Sequence, residues 1–285
     1  MITWYPGHMA KAKRQLTEQL SRVNVVIELC DARIPLSSRN PDLNTLCAHK
    51  QRILLLNKAD LADGQTTAQW LKYFSNEGLT ALPLEASKKQ SVKQVVPAIK
   101  RAAADVLERA RDRGFSKTIR CMVIGVPNVG KSTLINTLAG RAPLKTEDRP
   151  GVTRATQWVK IDPYLELMDT PGMLWPKLED KKAARRLAYI AAIRDQVLDV
   201  YALCISLLNE LMEIAPQAVC ERYKVTDASL RGQELLEAIC RGRGFLLPGA
   251  ACDLDRAVTT VLNEFRDGRI ARLSLETPPQ NAHDK

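Results

Sequence analysis

At 285 residues, 45% apolar and 26% charged, the chain has the length of one large domain or two ordinary ones and the composition of a globular protein. No apolar run reaches the length of a membrane-spanning helix. The formal net charge of +10 is unevenly placed: residues 1–177 carry 27 Lys/Arg against 16 Asp/Glu, and residues 178–285 carry 15 against 16. A basic first half predicts a polyanionic partner, with nucleic acid ahead of a membrane surface. The seven cysteines are scattered without a C-x-x-C pair, so neither a zinc site nor a disulfide framework is indicated. The N-terminal stretch "MITWYPGHMAKAKRQL" has no apolar signal core, which predicts the cytoplasm.

In chain order, a loop leads into a basic helix from Lys11 to about Arg22. "VNVVIELCDAR" (23–33), "RILLLNKAD" (52–60) and the weaker "LTALPLEAS" (79–87) read as strands, with "GQTTAQWLKYFSNEG" a helix ended by Gly78. A long helix from about Ser91 to Arg111 follows, and "RARDRGFSK" (109–117) reads as an exposed connector. "TIRCMVIG" (118–125) is a fourth strand, and "STLINTLAG" the helix after its loop. "KTEDRPGVTRATQ" (145–157) is a polar, turn-rich loop, and "WVKI-DPY-LELMD" two strands about an Asp-Pro turn. Strands alternating with helices predict a mostly parallel sheet covered on both faces, an α/β domain. Beyond Pro176 only helical periodicity remains. The predicted division is an N-terminal loop and helix over 1–22, an α/β domain over 23–178, an all-α C-terminal domain over 179–275 and a disordered tail over 276–285.

"GVPNVGKS" (125–132) fits G-x-x-x-x-G-K-[ST] directly after a strand and opening a helix. The loop from Pro127–Asn128–Val129–Gly130 to Thr133 is placed to cradle phosphates with the backbone N–H groups that follow Pro127, aided by the helix N-terminus. Lys131 would bridge the β- and γ-phosphates and the Ser132 hydroxyl would ligate Mg²⁺. The loop alone fits ATP as well as GTP. "LMDTPG" (167–172) adds Asp169, 37 residues after Ser132, as a second Mg²⁺ group, and Gly172 as an N–H donor to the γ-phosphate. Between them Thr153 is the candidate switch threonine, with Thr146 and Thr156 in the same loop.

"NKAD" (57–60) has the form that reads guanine. Asp60 would accept from guanine N1–H and its exocyclic amine, a pattern adenine cannot donate. Asn57 would meet the O6/N7 edge and brace the phosphate loop, and Lys58 would lay its stem along the base. "EAS" (Glu85, Ala86, Ser87) stands where a Ser-Ala-Lys type loop would offer a backbone N–H to guanine O6. The N–H assigned is that of Ala86, the one residue retained. The base reader therefore precedes the phosphate loop, which is the usual order of a GTPase cyclically rotated, with 109–117 joining the former termini. A parallel sheet tolerates such rotation because every element still ends on one edge.

With "WYPGHMAKA", "DARIPLSSRNP", "NKAD", "GVPNVGKSTLIN", "PGVTR" and "DTPGMLWP", the chain resembles the circularly permuted GTPases, and closely the ribosome biogenesis GTPase A family. The resemblance implies a cytoplasmic, monomeric factor that binds the rRNA and proteins of the large ribosomal subunit late in assembly, hydrolyses GTP when stimulated by it, and then leaves. It implies that His8 takes the water-orienting role, since Met173 and Leu174 follow Gly172 where many GTPases place Gln. It also implies a K⁺ held near Asn128. The alternative is a GTP-dependent RNA-binding scaffold with little turnover of its own. Arg241/Arg243 and Arg266/Arg269/Arg272 are candidate phosphate contacts in the helical part.

Overall fold

The structure, a computed structural model, describes residues 16–141, 156–172 and 180–279. Helix α1, described over residues 16–20, lies before β1 (Val25–Asp31). Then come α2 (Leu43–Leu46), β2 (Gln51–Asn57), α3 (Gly64–Asn76), β3 (Thr80–Pro83), α4 (Lys89–Val92), α5 (Val95–Ala102) and α6 (Ala104–Asp112). They are followed by β4 (Ile119–Ile124), α7 (Lys131–Ala139), β5 (Gln157–Asp162) and β6 (Leu165–Asp169). The C-terminal part holds α8 (Lys181–Tyr189), a 3₁₀ turn at Asp195–Val197, α9 (Val200–Ile214), α10 (Pro216–Tyr223), α11 (Gly232–Arg243) and α12 (Leu254–Arg266).

The six strands lie in the order β3-β2-β1-β4-β6-β5. The first five pair in parallel, and β5 joins the edge antiparallel to β6. β1 is buried at every position, as a central strand covered on both faces must be. Alternation divides its side chains: Val25, Ile27 and Leu29 face the larger core, while Cys30 faces Trp70 and Phe74 of α3. Asp63 caps α3 by accepting from Thr66 N–H, and Gly78 ends the turn at φ 74°.

The single helix expected over 91–111 is three pieces. Pro97 explains the first break, because inside a continuous helix its ring would meet the carbonyl of residue 93. Starting α5 at Val95 leaves Pro97 in a first turn, where an N–H has no partner to lose. α6 then runs to Asp112 and Gly114 turns out of it at φ 76°, so the exposed connector is shorter than 109–117. β5 and β6 form the expected pair, with Tyr164 N–H donating to Asp162 Oδ1 at the turn (2.7 Å).

The helical part shares one apolar core with the sheet domain, Tyr189 lying edge-on to Phe265 at 6.3 Å within it. The chain end returns to the sheet domain: Leu273 N–H donates to Leu61 O and Leu275 N–H to Arg33 O. Glu276, expected to begin a disordered tail, is instead 7% exposed. Its carboxylate accepts from the N–H of Leu36 and Ser37, from Ser37 Oγ and from Arg186, and its carbonyl accepts from Trp70 Nε1. A carboxylate with that many donors is held rather than solvated, which composition alone does not reveal.

Candidate nucleotide site

Because β1, β2, β3, β4 and β6 are parallel, the loops after them open on one edge of the sheet. That geometry brings "NKAD", "EAS", "GVPNVGKS" and "DTPG" together, although up to 115 positions separate the first residue of the set from the last.

Asn57 sits at the junction. It is buried, its Nδ2 donates to Val129 O in the phosphate loop (2.6 Å), and its Oδ1 accepts from Ala86 N–H (2.8 Å). One amide thus joins three loops. The second bond alters the reading of Ala86, since the N–H assigned to guanine O6 is already donated to Asn57. The neighbouring Glu85 has its N–H on Ser91 Oγ (2.8 Å) and its carboxylate on Lys88 (2.8 Å), while Ser87 is exposed at the turn. Lys58 adopts a left-handed backbone at φ 58°, and its ammonium lies 3.7 Å from Asp31 Oδ2. Asp60 is half-buried two residues on.

The phosphate loop is shaped by close approach. Gly130 has φ 98°, and a Cβ there would overlap Asn57 Nδ2; a Cβ on Gly125 would overlap Leu29 O. Val126, Pro127 and Val129 are buried, and Asn128 holds φ 61°. Lys131 folds back over the loop to donate to Val126 O (2.9 Å) and Gly125 O (3.2 Å). Burial pulls its pKa down from 10.5 to about 8, with Asp169 working in the opposite direction. Ser132 Oγ donates to Asp169 Oδ2 (2.8 Å), and Asp169 is fully buried at the end of β6. Thr133 follows in the first turn of α7. Thr170 Oγ1 anchors the next loop on Val123 O (2.7 Å), and a Cβ on Gly172 would lie 2.7 Å from Pro127 Cα. Gly172 therefore packs directly on the phosphate loop.

His8, Thr153, Met173 and Leu174 lie outside the described residues. Of the arginines marked for phosphate, Arg266 is committed inward: it donates to Tyr189 O and Ala188 O and forks onto both oxygens of Asp195. Arg243 lies against Glu264 and the Phe245 ring. Arg241 and Arg269 stay largely exposed beside Glu237 and Asp267.

The stretch "DARIPLSSRNP" carries no recognisable binding motif in its sequence. Asp31 is fully buried and takes Arg33 bidentately (2.9 and 2.8 Å). Burial works to raise the Asp31 pKa, but Arg33 and Lys58 prevail and hold it below the usual 3.8. The buried strand end followed by an arginine two residues on was the available signal.

A phosphate loop on a parallel sheet, followed by a buried acidic strand end and preceded by a guanine-reading loop, defines a circularly permuted P-loop GTPase. A family model described as a 50S ribosome-binding GTPase matches residues 120–230. "Ribosome biogenesis GTPase A" of Bacillus cereus is 43% identical over 281 residues, covering 98% of this chain and 95% of the relative. The protein of the same name from Thermotoga maritima is 30% identical, covering 97% and 95%. The crystal structure of GNP-bound YlqF from T. maritima superposes with a TM-score of 0.66 at 26% identity, over 95% of this chain and 99% of that one. The chain belongs to the ribosome biogenesis GTPase A family.

Proposed function

We propose that this GTPase binds the large ribosomal subunit, through its rRNA and ribosomal proteins, late in assembly in the cytoplasm, and that GTP hydrolysis releases it. The observation that carries the reading is the single Asn57 amide joined to the phosphate loop and to the loop after β3. Such bracing makes base and phosphate recognition one event. Asp60 selects guanine, Lys58 covers the base, and the Ser87 N–H, next after the committed Ala86, serves guanine O6 beside Glu85.

Ser132 and Asp169 offer hard oxygens to Mg²⁺, which keeps several waters and takes few protein ligands. Among the described residues no larger His/Cys/Asp/Glu cluster exists that would favour another metal. Bound there, the ion would neutralise charge developing on the phosphates. Lys131 leaves its two loop carbonyls for the β- and γ-phosphates, and Gly172 N–H reports the γ-phosphate to the segment leading into α8. Asn128 is assigned to K⁺, Thr153 to closing over the metal, and His8 to orienting the attacking water. The protein acts as a monomer.

The test is turnover of GTP and of ATP, with and without purified large subunits, in K⁺ and in Na⁺ buffer. The expected result is GTP preference, stimulation by subunits and a K⁺ advantage. ATP preference, or no response to subunits, overturns the reading; subunit binding without stimulation would favour the scaffold alternative.

A further inference from the structure

The segment "DAR" links the base end of the site to the C-terminal helices through an unbroken set of polar contacts. Lys58 lies 3.7 Å from Asp31 Oδ2, and Arg33 grips both oxygens of Asp31 through Nε and Nη2. The remaining arm of Arg33, Nη1, donates to Phe265 O (2.8 Å) and Arg266 O (3.3 Å), the carbonyls that end α12. The guanidinium also lies over the Phe265 ring at 4.9 Å. From there Arg266 continues to the end of α8 and to Asp195. Each charge in the set is buried or partly buried, so removing one leaves another without compensation.

We propose that Arg33 is a positioning residue for guanine-nucleotide binding: through Asp31 it fixes the Lys58 ammonium, and through the end of α12 it couples occupancy of the base site to docking of the C-terminal helices. Lysine at position 33 supplies one charge but neither the fork on Asp31 nor the second reach to the α12 carbonyls. Coupling of this kind is reciprocal, so nucleotide that tightens on Lys58 also tightens α12. The inference rests on the guanine-site assignment made above.

Two measurements on the full-length protein test it. First, GDP and ADP dissociation constants are measured for the wild type, Arg33→Lys, Lys58→Met and the double variant. Arg33→Lys is expected to weaken GDP roughly tenfold, within the usual range of coupling between sites, and Lys58→Met to cost less in that background than in the wild type. Turnover of Arg33→Lys at saturating GTP is expected to hold within a factor of about three, so that its loss appears in KM rather than kcat. Second, because Arg33→Lys can fail to fold, amide exchange at Asp267, Gly268 and Arg269 is followed with and without GDP in the wild type and in Lys58→Met. GDP slows that exchange in the wild type and has no effect in Lys58→Met. Equal GDP affinity in folded Arg33→Lys, strict additivity, or exchange at 267–269 indifferent to GDP would each overturn the proposal. A wild type that prefers ADP would instead overturn the guanine assignment.

Discussion

Asn128 Nδ2 donates to Ala191 O at 2.7 Å, joining the phosphate loop to the turn that ends α8. Both residues hold left-handed backbones, φ 61° and 58°, which non-glycine residues adopt only when their surroundings compensate the strain. The helical part is thus tied to the site at its phosphate end through Asn128 and at its base end through Arg33. That bond uses the amino end of the Asn128 amide, so the K⁺ proposed above would take the other end, Oδ1, and the ion and the α8 turn would be held by one side chain.

Asn128→Ala is therefore expected to act twice. Without nucleotide it lowers stability by about 1 kcal/mol, the usual net worth of one hydrogen bond, read by thermal or urea unfolding. In turnover it erases the difference between K⁺ and Na⁺ buffers. A variant that keeps the full K⁺ advantage removes Asn128 as the ion's ligand.

Lys131 sets a pH dependence. Its folded pKa, near 8, lies below the ordinary 10.5 because burial disfavours the ammonium. Between those two values the unfolded chain holds more protons, so stability without nucleotide rises as pH climbs from about 8 toward 10.5. Bound phosphates restore the charge, so GDP binding takes up a proton in that window. Affinity then falls with pH by up to about tenfold per unit, the slope for one linked proton. Calorimetry at pH 8.5 in two buffers of different ionisation enthalpy reads the uptake directly; zero protons exchanged would contradict it.

Parts of this fold were legible because they repeat local rules. β1, β2 and β4 announced themselves as apolar runs, and the phosphate loop by its glycines and lysine. The rotated order of "NKAD" and "GVPNVGKS" was enough to predict that one sheet edge gathers both. What escaped depended on contacts between distant residues. Nothing near Ala86 shows that Asn57 takes its N–H, nor does "FRDG" show that Arg266 faces Asp195. Glu276 reads as tail because its partners, Ser37 and Arg186, are 239 and 90 positions away.

Gly130→Ala tests the junction of base and phosphate recognition. At φ 98° alanine is strained, and its methyl would meet Asn57 Nδ2. Displacing Asn57 breaks its bonds to Val129 O and Ala86 N–H together. GDP affinity is expected to drop by about 30- to 150-fold, the effect of two lost buried hydrogen bonds at about 1–1.5 kcal/mol each. Asn57→Ala, which leaves the loop glycine intact, is expected to fall within a few-fold of it. A Gly130→Ala protein with near-normal affinity would show that Asn57 does not brace the loop.

Glu276 gives the last test, and its effect is on stability rather than on chemistry. Glu276 is 7% exposed, and its carboxylate receives two backbone N–H groups, the Ser37 hydroxyl and Arg186, itself shared with Glu210. Glu276→Ala leaves those donors without their acceptor and is expected to cost about 3 kcal/mol, as breaking a buried pair does. Glu276→Gln keeps the shape and one acceptor oxygen, and is expected to cost about half of that, since charged hydrogen bonds are roughly twice as strong as neutral ones. Urea unfolding of the two variants reads both values. Because Ser37 and Arg33 share the loop after β1, Glu276→Ala is also expected to speed amide exchange over 33–38 ahead of global unfolding. Equal stability of Glu276→Ala and wild type would mean that the chain end lies outside the cooperative fold.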